Sequence, residues 1–90
     1  MQKILTKHPN GKKGVNISKE KYDIIKKCII ESLEKDELTY TMITKIVEKK
    51  LDKNFEGSIA WYVESVKLDL EARNLIERIP KTKPQRYRLK

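Results

Sequence analysis

Residues 58–89 read SIAWYVESVKLDLEARNLIERIPKTKPQRYRL. The first half repeats apolar residues at Ile59, Tyr62, Val63, Val66 and Leu70, the three-and-four spacing of a helix that buries one face. Ser58 precedes the repeat as an N-cap, its hydroxyl placed to accept from backbone N–H groups that the first turn leaves unpaired. Asn74 follows it, and Asn tolerates the left-handed backbone in which helices commonly end. The spacing predicts a helix over 59–73. Two β-type runs come next, 75–79 and 85–89, joined through Pro80-Lys81-Thr82-Lys83-Pro84. A proline cannot donate to a strand ladder, so both belong at strand ends or in the turn. Tyr87 and Leu89 share a face and return the second strand to the core, while Arg86, Arg88 and Lys90 take the other. A two-stranded hairpin is marginal alone, so this one must lean on the helix before it.

Two amphipathic patterns precede this unit. Thr39 caps a helix over 40–51, with Leu38 poised to staple onto Ile43 and with Ile43, Ile46, Val47 and Leu51 on its buried side. Ser18 caps another over 19–34, Ile17 packing on Tyr22 in the same way. Its core stripe is Tyr22, Ile25, Ile29 and Leu33, flanked by Ile24 and Cys28. The loop over 52–57 offers one anchor, Phe55. Residues 1–17 carry neither a helical nor a strand period. His8-Pro9-Asn10-Gly11 is a turn signal, and Gly11-Lys12-Lys13-Gly14 lacks the spacing of a nucleotide-binding phosphate loop. Because Ile4, Leu5, Val15 and Ile17 punctuate it, this basic arm is expected to lie on the domain formed by residues 18–90. The fold class is mainly α with a small β-hairpin.

Ninety residues make one small domain, and with apolar and charged residues each at 38% its core depends on patterning rather than bulk hydrophobicity. The net charge of +8 is concentrated at the ends: residues 78–90 carry six basic side chains and no acidic one. Such an arrangement attracts polyanions. No apolar run approaches the ~20 residues that span a bilayer, and the start lacks the apolar segment of a signal peptide. One cysteine allows no internal disulfide, which fits a reducing cytoplasm. One histidine and one cysteine furnish no catalytic set and no metal site. Neither a cofactor nor a small-molecule substrate is implied.

The order helix, helix entered by Leu38-Thr39, longer helix, then Asn74-Leu75-Ile76-Glu77-Arg78-Ile79 and Arg86-Tyr87-Arg88-Leu89 resembles a three-helix winged helix-turn-helix domain over residues 18–89. The segment His8-Pro9-Asn10-Gly11-Lys12-Lys13-Gly14-Val15-Asn16-Ile17 is similar to the start of a group of small uncharacterised bacterial proteins. The first resemblance implies a binding module. Many winged helices bind DNA with the third helix in the major groove and the wing along the backbone, and others bind only protein.

The third helix carries an anomaly opposite its core stripe: Trp61, Ser65, Leu68 and Ala72. A DNA-reading face is expected to be polar, whereas Trp61, Leu68 and Ala72 ask for cover, from the arm or from a second chain. Trp61 is accordingly expected to be mostly buried. A flank of Ala60, Glu64, Lys67 and Glu71 reads as outward-facing, and its two carboxylates oppose insertion among phosphates. The sequence therefore points to double-stranded DNA held by its backbone through Arg78, Lys81, Lys83, Arg86 and Arg88, with Lys12 and Lys13 assisting. The alternative is a protein-interaction module, a homodimer or the receptor of an acidic partner, with no nucleic acid bound.

Overall fold

A computed structural model describes residues 2–51 and 55–90. Three helices, α1 (Lys19–Lys35), α2 (Tyr40–Leu51) and α3 (Ile59–Ala72), pack around one core. Five short strands accompany them: β1 (Lys3–Leu5), β2 (Asn16–Ser18), β3 (Leu38–Thr39), β4 (Ile76–Arg78) and β5 (Arg86–Leu89).

The helix ends follow from their caps. Ser18 Oγ accepts from Lys21 N–H at 3.4 Å, Thr39 Oγ1 from Met42 N–H at 3.2 Å and Ser58 Oγ from Trp61 N–H at 3.2 Å. Asn74 has φ of 64°, the left-handed residue expected after α3. Around it, Asn74 N–H donates to Glu71 O at 3.1 Å and Leu75 N–H to Leu70 O at 3.0 Å. This pair of bonds, the Schellman arrangement, satisfies carbonyls that the last turn leaves free. The core stripes meet as their spacing requires. Ile25, Ile29, Ile43, Val47, Val63, Val66 and Leu70 are fully enclosed, and Ile17 and Tyr22 are both buried beside the start of α1. Ile24, expected on the flank, is exposed. Residues 52–54 of the expected loop lie outside the described residues; Phe55 packs against the core with its ring edge-on to Tyr62.

The β structure differs from expectation in two places. The hairpin is part of a three-stranded antiparallel sheet in the order β3-β5-β4. Leu38 pairs with Tyr87 and Thr39 with Arg86, so the dipeptide that starts α2 also edges the sheet. Tyr87 is thereby fixed between β3 and β4 with its ring in the core. The hairpin strands are also shorter than the runs 75–79 and 85–89, although Ile79 N–H still donates to Arg86 O at 2.9 Å. The second difference is the arm, whose ends pair as β1 and β2 with Ile4 opposite Ile17. Three residues per strand are too few for a two-residue period to show. No helix among the described residues is long and apolar enough to cross a membrane.

Candidate nucleic-acid interface

Helix α3 turns three of its four charged residues, Lys67, Asp69 and Glu71, into the molecule. Lys67, expected on an outward flank, is only 2% exposed. Its Nζ lies 3.2 Å from Glu71 Oε2, 3.3 Å from Glu64 Oε1 and 3.1 Å from the Tyr87 hydroxyl, and 4.5 Å from the centre of the Tyr87 ring. Burial lowers the ammonium's pKa, but the Tyr87 hydrogen bond and the Glu71 charge more than reverse this and hold it above the ordinary lysine value. Glu71 Oε1 in turn accepts from Arg78 Nε at 2.6 Å. The reason is positional: at about 100° per residue, Lys67 falls about 40° from Val63, on the side of α3 that the sheet covers. The two acids of the expected outward flank are therefore not free to repel phosphate. Glu71 is a buried counter-ion, and Glu64, half-exposed, belongs to the same cluster.

A second node is Asp69, fully buried on the side of α3 that faces α1 and the arm. The Tyr22 hydroxyl donates to its Oδ2, Arg73 Nε to both oxygens at 3.0 and 2.9 Å, and Lys7 N–H to Oδ1 at 2.8 Å. One carboxylate thus ties together α1, α3 and the arm. Sequence reasoning passed over it. The available signal was its place on the Tyr62–Val66 side of the helix, with Arg73 one turn later.

These pairings sort the expected phosphate contacts. Arg78 is committed to buried Glu71, Arg88 Nε bonds Glu77 Oε2 at 2.7 Å, and Arg86 Nη1 bonds Glu37 O at 3.1 Å. Lys81 and Lys83 are exposed on the turn between β4 and β5, with no carboxylate partner among the described residues. That turn is tied from within. Thr82 Oγ1 donates to Ile79 O and accepts from Arg86 N–H, while Gln85 Nε2 donates to Ile79 O at 2.9 Å. Lys12 and Lys13 are exposed on the arm loop, also without a carboxylate among the described residues. The arm's turn comes close to the β4–β5 hairpin: Pro9 and Asn10 border one hollow of about 330 Å³ with Ile76, Glu77 and Arg78 of β4.

The arm also runs along part of the second stripe of α3. Thr6, Gly14 and Val15 line a small hollow with Ser65 and Leu68, and Leu5 and Gly14 line another with Ala72. Leu68 and Ala72 are half-buried. Within one chain the arm does not supply the cover expected for Trp61, which is 45% exposed with its ring edge-on to Tyr62 at 4.9 Å; the other expected cover is a second chain. Trp61 lies a turn N-terminal to Ser65 and Leu68, the α3 residues that share a hollow with the arm. Burial pushes the Cys28 thiol up, away from the thiolate form that reacts. Among the described residues no group of three or more His, Cys, Asp and Glu is arranged to hold a metal ion.

Residues 3–87 match the model of a family described as a family of unknown function, DUF6958. Comparison with the curated proteins and with the solved structures finds no match.

Proposed function

We propose that this chain, which belongs to the family DUF6958, is a non-enzymatic winged-helix module that holds double-stranded DNA by its phosphate backbone. The observation that carries the reading is the pair of tied loops, wing and arm, that hold Lys81, Lys83, Lys12 and Lys13 in solvent, the arm's turn at Pro9 and Asn10 lying beside strand β4 of the wing. The winged-helix assignment is supported by the pairing of Leu38-Thr39 with β5, which joins the entry of α2 to the wing. Against reading by α3 stands its own surface, where the arm lies beside Ser65 and Leu68 and the outermost residue is Trp61. Base edges are read mainly by Arg, Lys, Asn and Gln, with Ser and Thr as lesser readers; this face has none of the first four, and its one hydroxyl, Ser65, borders the arm.

Charge arithmetic gives the test. Each phosphate contact contributes about 0.9 to the slope of log affinity against log salt. Changing Lys81 and Lys83 to Ala should flatten that slope by about two on a generic duplex, and changing Lys12 and Lys13 should do the same. Arg88 can exchange its exposed Glu77 partner for a phosphate at small cost, since surface ion pairs are weak. Arg78 is tied to a buried carboxylate and should contribute less. Unchanged slopes in both lysine pairs would overturn the reading. The exposure of Trp61 favours a second reading, a protein partner or a second copy seated on Trp61, Leu68 and Ala72. A stable dimer in sedimentation, with Trp61 fluorescence shifted to the blue on assembly and no DNA affinity, would select it.

A further inference from the structure

The arm loop between β1 and β2 is more closely specified than a solvated basic tail requires. Thr6 N–H donates to Val15 O and Val15 N–H to Thr6 Oγ1, both at 2.9 Å. Gly11 N–H donates to His8 O at 3.0 Å and Asn10 N–H to His8 Nδ1 at 3.1 Å, closing the turn. Lys7 N–H reaches buried Asp69 at 2.8 Å, which fixes the loop to the body of the domain. Ordering a backbone is entropically costly, yet this loop leaves Leu5 and Val15 exposed at its base, so apolar burial is not its main return. What it fixes is the placement of Lys12 and Lys13, between the Gly11 turn and Gly14.

Gly14 is the point at which this placement is most exacting. A Cβ there would sit 1.7 Å from the Thr6 carbonyl oxygen and 2.5 Å from its carbon. Those are backbone atoms that cannot swing aside as a flexible side-chain end would, so any other residue forces the two limbs of the loop apart. We infer that Gly14 is a positioning residue, whose missing side chain lets the arm close and hold Lys12 and Lys13 at a duplex backbone. The inference rests on the DNA-binding reading above. Gly14 itself touches no nucleic acid in this account.

The test is a cycle on the full chain with a generic duplex. Gly14→Ala should weaken binding more than about tenfold at low salt and flatten the salt slope by about two, matching the loss from Lys12→Ala with Lys13→Ala. Added to the lysine pair, Gly14→Ala should have no further effect, because the contacts it positions are already gone. Thermal unfolding checks that each variant folds. Thr6→Val, which removes the acceptor for Val15 N–H without adding bulk, supplies the same result by a gentler route should Gly14→Ala fail that check. A Gly14→Ala chain that binds like the parent, or one that weakens binding equally with and without Lys12 and Lys13, would overturn the inference and leave the DNA reading standing. A parent chain with no salt-dependent affinity for duplex would overturn both.

Discussion

Changing Glu71 to Ala should destabilise the fold by about 3 kcal/mol, because it strands a buried ammonium. Lys67 is enclosed by α3 and the sheet, and Glu71 is its more buried counter-ion, 6% exposed against 46% for Glu64. Glu64 and the Tyr87 hydroxyl remain after the change, which keeps the loss near the lower end of the range for breaking a buried pair. For a domain of this size that is a fall in Tm of roughly 12–24 °C. The paired change Lys67→Met with Glu71→Leu removes both charges and should return to within about 1 kcal/mol of the parent, since desolvating the two ions offsets most of their attraction. Urea titrations of the three chains check this. A Glu71→Ala chain as stable as the parent would mean that Lys67 finds water when its partner leaves. The pairing of Glu64 and Glu71 with Lys67 also corrects the reading of these two acids as an outward flank that opposes phosphate. Neutralising Glu64 and Glu71 to relieve repulsion of phosphate would compromise the fold before it affected binding.

Asp69→Ala should be comparably damaging, about 3–4 kcal/mol, for a different reason. The carboxylate is the shared acceptor of Tyr22, Arg73 and the Lys7 backbone. Arg73 is about a third exposed and can turn to water, but the buried Tyr22 hydroxyl loses its partner. A cycle with Tyr22→Phe should therefore show a coupling of roughly 1–3 kcal/mol between positions 22 and 69. Alkaline titration gives a second readout. Burial first, then the hydrogen bond and charge of Asp69, raise the Tyr22 pKa above that of an exposed tyrosine. The folded chain thus keeps a proton that the unfolded chain begins to release near pH 10. This contribution to stability is complete below that pH and is lost as pH climbs above it. In the Asp69→Ala chain the alkaline loss should be shallower. Equal slopes in the two chains would contradict the assignment.

These two sites mark where the sequence was legible and where it was not. Caps are local, which is why Ser18, Thr39, Ser58 and Asn74 could be placed from their neighbours alone. The apolar stripes were equally readable, since three-and-four spacing survives without knowledge of the partner. Lys67, Asp69 and Glu71 were misread or passed over because polarity was taken as a proxy for exposure. Helix geometry sets Lys67 close to Val63 and Asp69 close to Val66, and only the sheet and arm behind them decide that these positions are buried. Leu38-Thr39 was read for its cap, and two residues cannot also display a strand period. In the arm, neither the β1–β2 pairing nor the contact of Lys7 with Asp69, sixty-two positions away, leaves a local trace. Trp61 was expected under cover because its stripe looked continuous, yet within one chain it stays 45% exposed while Ser65, Leu68 and Ala72 border the arm.

The most direct test of the account is a titration of the parent chain with two duplexes of unrelated sequence at several salt concentrations. Four lysine contacts predict a log–log slope near −3.6, at about 0.9 per contact, steepening to about −4.5 where Arg88 also takes a phosphate, and the same affinity for both duplexes. A total difference in affinity of about 1–3 kcal/mol or more between the two, the cost of a single mismatched base pair in a specific site, would mean that base edges are being read. Such discrimination, or affinity that does not change with salt, would contradict backbone holding by the arm and the wing.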